Sequence, residues 1–103
     1  PKGSVPDDFY ALVTSAKPVL IFSGENDPVT RPVWGEHVHE TLPNSRHIVV
    51  PGAGHITLMR GCVPELVGRF LGDPDPSKID PACVGSQTRP PFFTSYTGPE
   101  TRP

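Results

Sequence analysis

The sequence is short of most features that assign a function at a glance. It has no run of basic residues and a formal net charge of −2, so it carries no electrostatic footprint for nucleic acid or an anionic membrane. No apolar stretch approaches the roughly 20 residues that span a bilayer. Its two cysteines form no Cys-x-x-Cys and have no partnering His spacing, which argues against a metal site, and no pattern calls for a cofactor. There is no internal repeat. The chain opens on Pro1, with neither Met nor a signal-peptide pattern, so it is expected to be a processed or truncated piece of a longer product. Hydrophobic residues make up 35% of 103. Even with the ten glycines added, the apolar share stays just under the roughly 45–50% of globular chains. That length and composition allow one domain at most, with a modest core.

Proline is present in excess, with 15 residues against an ordinary share of about 5%. Seven of them follow Gly72, where aliphatic residues also become sparse. The expected organisation is a lead-in over 1–17, a folded unit over 18–72 and an irregular Pro-rich extension over 73–103. Cys62 and Cys83 are either two buried free thiols or a disulfide tying that extension to the preceding helix. The second reading accounts better for a segment that cannot bury enough surface to hold itself, and it implies an exported protein.

Along the chain, Phe9, Leu12 and Val13 follow helical spacing after Asp7-Asp8, which predicts a short helical turn. Val19 to Phe22 is continuously apolar, as in a strand buried on both faces of a parallel sheet. Thr30 is a plausible N-cap, and Pro32 suits the first turn of a helix. Trp34, Val38 and Leu42 recur every four residues until Pro43-Asn44 stops the pattern. Arg46 to Val50 reads as a second strand ended by Pro51-Gly52. Val63, Leu66, Val67, Phe70 and Leu71 then mark an amphipathic helix, with Pro64 in its first turn and Gly72 after its end. The fold class is α/β: strand, helix, strand, helix, with two parallel strands and an irregular tail. Two such strands leave both outer edges unpaired, so further strands are expected from missing upstream residues or from another copy of the chain.

Two residues stand where this layout concentrates chemistry. Asp27 follows the first strand and His55 follows the second, so both fall outside the carboxyl ends of parallel strands, the edge at which open α/β sheets carry their sites. An Asp in such a turn is commonly a turn residue or a cap, and a His after Gly is commonly a loop residue. Joined by one βαβ unit, they read as an acid able to orient a base: the carboxylate accepts the Nδ1–H and leaves Nε2 free to take a proton. His37 and His39 sit on a helix face and His47 within a strand, and none improves on His55.

The segments PVLIFSGENDPVT (18–30) and LPNSRHIVVPGAGH (42–55) resemble the closing portion of α/β-hydrolases. With the two cysteines and the RPPFF ending (89–93), the resemblance narrows to the C-terminal domain of secreted tripeptidyl-aminopeptidase-like (TAP-like) enzymes, relatives of proline iminopeptidases, and covers about residues 15–93. It implies that the triad acid falls on Asp27 and the triad histidine on His55. The family's nucleophile comes from a Gly-x-Ser-x-Gly elbow, which this sequence lacks, so the resemblance implies a serine hydrolase portion that is inactive alone. It further implies a secreted or cell-envelope protein acting on peptides or small esters and amides, with an upstream hydrolase core as partner. Two rivals remain: a structural module that self-associates by strand exchange, and a binding domain that uses the fold without hydrolysis.

Overall fold

The computed structural model describes residues 3–98. Its centre is a pair of parallel strands, β1 (Val19–Gly24) and β2 (Ser45–Val50), running in register from Val19 opposite Ser45 to Gly24 opposite Val50. Helix α1 (Pro32–Glu40) connects them, and α2 (Val63–Gly72) follows β2. A 3₁₀ turn at Pro76–Lys78 and a short helix α3 (Ala82–Gly85) complete the order. The aliphatic run of β1 favours a pleated, buried strand. Pro32 occupies the first helical position of α1, where a missing N–H costs nothing. Strand–helix–strand–helix with two parallel strands is the α/β arrangement expected, a partial α/β-hydrolase fold.

One face of the sheet packs a core, and the other carries Ser23 and His47 beside Val19, Ile21 and Val49. Alternation along the strands sends Leu20, Phe22, Ile48 and Val50 to the α2 side, where they pack with Ala53, Val63 and Leu66. On the opposite face α1 lies close over Ser23 and His47, so close that a Cβ at Gly35 would meet both side chains. No residue of α1 is buried, and Trp34 and Val38 stay largely exposed. The apolar stripe Trp34, Val38, Leu42 is therefore covered only at Leu42.

Two expectations about the ends need correction. The lead-in forms no helix among the described residues. Phe9 N–H to the Pro6 carbonyl (3.0 Å) and Ala11 N–H to the Asp8 carbonyl (2.9 Å) close single turns, and Phe9, Leu12 and Val13 are exposed. With no partner surface, three apolar residues at helical spacing bury nothing, so spacing alone does not sustain a helix. The second correction is the boundary at residue 73. Ile79 and Val84 are buried in the same core as Ile48 and Leu66, so 73–85 belongs to the folded unit. Only the stretch after it is irregular, with Phe92 and Phe93 exposed. The tie is the disulfide Cys62–Cys83, with Cα atoms 6.3 Å apart, inside the usual range for such a bridge. It joins the residue before α2 to the middle of α3.

That pinned segment runs along the free edge of β2. Pro76 and Ser77 face Ser45–His47 across one shallow cleft, and Pro81, Val84 and Gly85 face Arg46–Val49 across another. The outer edge of β1 has no such cover among the described residues. The radius of gyration, 17.7 Å, exceeds the roughly 13 Å of a compact domain this long. No helix among the described residues is long and apolar enough to cross a membrane.

Candidate active site

The turns that leave β1 and β2 are bound to each other through main chain. The Glu25 N–H donates to the Val50 carbonyl (3.1 Å) and the Asn26 N–H to the Ala53 carbonyl (2.9 Å). The Gly52 N–H donates to Glu25 Oε2 at 2.6 Å. Gly52 adopts a φ of 64°, a left-handed conformation that glycine takes without steric cost. At Gly24 a Cβ would run into the Ala53 and Gly54 carbonyl oxygens, so the close approach of the two turns needs a residue without a side chain.

Asp27 and His55 meet across this clasp. His55 Nδ1 lies 2.9 Å from Asp27 Oδ2. Asp27 Oδ1 accepts the Val29 N–H (2.8 Å) and the Thr30 N–H (3.0 Å), and Oδ2 also accepts the Thr30 hydroxyl (2.9 Å). Burial by itself would push the carboxyl up. The hydrogen bonds from His55, Val29 and Thr30 outweigh it and hold Asp27 well below the usual carboxylate range. Exposure separates the roles: the Asp27 side chain is 3% exposed and that of His55 is 53% exposed. The acid is locked and ionised, and the imidazole presents its far side outward.

The remaining histidines stay away from this pair. His37 lies 3.5 Å from Glu40, and His39 Nδ1 is 2.6 Å from Ser45 Oγ. His47 is different. Its Nδ1 is 2.9 Å from Glu36 Oε2, and its Nε2 is 2.8 Å from Ser23 Oγ. Acid, imidazole and hydroxyl stand in the same order as in a nucleophilic triad. Ser23, however, is 8% exposed beneath Gly35, and its hydroxyl is tied to His47, away from His55. The relay is structural: it fastens α1 to both strands, and the His47 N–H holds the Glu36 carboxyl below its usual range. The sequence carried a signal for it, since Ser23 and His47 share a face once Ile21 is set opposite His47.

Thr30 does not cap α1. The residue preceding that helix is Arg31, and no side chain caps it. The Thr30 hydroxyl goes instead to Asp27 and to within 3.2 Å of His55 Nδ1. A hydroxyl three residues after an acid in a turn is the pattern that would have pointed there.

Comparison with known proteins gives a family. A model described as TAP-like protein matches residues 1–83. The chain belongs to the TAP-like family of α/β-hydrolases. Two Mycobacterium tuberculosis proteins, from strains CDC 1551 / Oshkosh and ATCC 25618 / H37Rv, are each 44% identical to it over 41 residues. Both carry the name of a putative non-heme bromoperoxidase, BpoC. Each match covers 40% of this chain and 16% of the relative, so the chain spans only a fraction of their length. No solved structure matches the chain significantly.

In this TAP-like chain a cavity of about 270 Å³ opens beside the pair. Ile21, Trp34 and Val38 line it together with Asp27 and His55. It lies between α1 and the carboxyl half of β1, with Ser23 and Gly35 in its lining. No group of three or more metal-ligating side chains gathers there or elsewhere among the described residues.

Proposed function

We propose that this chain supplies the acid and the base of a serine hydrolase triad. Asp27 accepts the Nδ1–H of His55, fixes the ring and stabilises the imidazolium that forms when Nε2 takes a proton from a hydroxyl nucleophile. His55 then returns that proton to the leaving group as a general acid. The single observation behind this reading is the 2.9 Å contact between a buried Asp27 and a half-exposed His55. The nucleophile and the donors for the developing oxyanion come from a hydrolase core outside this sequence, on a Gly-x-Ser-x-Gly elbow. The isolated chain is accordingly inactive.

The substrate class is a peptide or a small ester or amide, with release of short peptides from amino termini as the leading activity. The TAP-like family supports this, and the disulfide supports a secreted or cell-envelope location. His55→Ala in the full-length protein should lower kcat by about 10³-fold or more on a peptidyl amide. Near-normal hydrolysis by that variant would sink the assignment.

One observation favours a second reading for the chain by itself. Among the described residues the β1 edge has no cover while residues 76–85 face β2, so a second copy could add at β1 by strand pairing. Sedimentation velocity on this chain at high concentration distinguishes the two, since a clean monomer removes self-association from consideration.

A further inference from the structure

We propose that Thr30 is a positioning residue that sets both the rotamer of Asp27 and the tautomer of His55. The inference rests on the reading of Asp27 and His55 as an acid–base pair and adds a third side chain to it. Thr30 touches both members with one oxygen, 2.9 Å from Asp27 Oδ2 and 3.2 Å from His55 Nδ1. Its single hydroxyl proton is donated to the carboxylate. A hydroxyl with its proton committed has only lone pairs left, so it faces the His55 nitrogen as an acceptor. Nδ1 must then carry the proton, shared between Asp27 Oδ2 and Thr30 Oγ1, and the lone pair falls on Nε2.

The same residue saturates the acid. A carboxylate offers about four acceptor directions, and Asp27 fills them with two backbone N–H groups, the Thr30 hydroxyl and His55. Thr30 provides two of these four through its own N–H and hydroxyl. Rotating the Asp27 carboxylate would break bonds on both oxygens at once. Thr30 is itself stiff, being β-branched, and it leads directly into α1, whose Glu36 is fastened through His47 to Ser23. Thr30 makes this contact in place of capping the helix, which has no side-chain cap.

The test is ¹⁵N NMR of the histidine rings in this chain, in wild type, Thr30→Val and Thr30→Ser. Val keeps the shape and removes the hydroxyl, and Ser restores it. The expected result is a His55 ring in the Nδ1–H tautomer with a protected, downfield Nδ1–H resonance in wild type and in Thr30→Ser. Thr30→Val should lose that resonance and shift the ring toward the mixed tautomers of free imidazole, with amide shifts in β2 and α2 unchanged. A Thr30→Val ring indistinguishable from wild type overturns the role of Thr30 and leaves the Asp27–His55 pair standing. A wild-type ring with no Nδ1–H tautomer overturns the pair and Thr30 together. Should Thr30→Val fail to fold, the wild-type spectrum decides. A nuclear Overhauser contact between His55 Nδ1–H and the Thr30 side chain supports the proposal, and its absence overturns it.

Discussion

The two outer edges of the strand pair receive opposite treatment from the same chain. Along β2, residues 76–85 lie against the strand, anchored by Ile79 and Val84 in the core and by a covalent bond from Cys83 to Cys62. Along β1, among the described residues, there are a cavity and the largely exposed Trp34 and Val38 of α1. An unpaired strand edge invites addition, and natural sheets cover or blunt edges that must stay free. In the partial α/β-hydrolase fold seen here, the two edges of the strand pair differ in cover among the described residues. The Pro-rich segment thus closes the sheet on the side away from the cavity.

Breaking the tie on the covered side should have the largest effect. Replacing both Cys62 and Cys83 by Ser frees a loop whose closure is worth about 3 kcal/mol, and urea unfolding of oxidised wild type against the variant measures it. If the loss is near zero, Ile79 and Val84 hold the segment unaided and the disulfide is incidental to the edge. Next is the α1 side, which the Glu36–His47–Ser23 relay fastens to both strands. His47→Leu leaves the Ser23 hydroxyl without its acceptor and should cost about 2 kcal/mol, and His47→Leu with Ser23→Ala should recover much of it, because removing both partners avoids a stranded polar group. A double-mutant cycle that shows no coupling would mean that α1 is held by something other than the relay.

The smallest effect concerns acidity. Asp27 is held below its ordinary value of 3.8, so its bonds contribute stability that is fully present above about pH 5 and lost as pH falls below 3.8 toward the depressed folded value. Urea midpoints measured from pH 5 downward should fall, and Asp27→Asn should flatten that part of the curve. An unchanged slope in the variant would show that other carboxylates carry the acid sensitivity.

Much of this architecture was legible because it depends on local pattern. The aliphatic run Val19–Phe22, Pro32 and the periodic Val63, Leu66 and Val67 each state their element in consecutive residues. The Asp27–His55 contact was legible for a related reason: one βαβ unit fixes which ends of its strands lie together. The lead-in misled because Phe9, Leu12 and Val13 have the spacing of a helix and nothing to pack against. The tail misled in the opposite sense. Prolines around Ile79 and Val84 mask two core residues, whose partners lie far off in the sequence. Thr30 and His47 were missed as members of networks because hydrogen bonds across 25 and 24 residues leave no periodic trace. Thr30 in particular satisfied a helix-cap rule that a neighbouring carboxylate overrode.

The contact between Gly24 and the carbonyl of Gly54 has a consequence for how such a site drifts over time. Where two turns touch backbone to backbone, the separation of acid and base is written into main-chain bond lengths and not into the size of any surrounding side chain. A single methyl group at position 24 would meet the Gly54 and Ala53 carbonyl oxygens and force the turns apart.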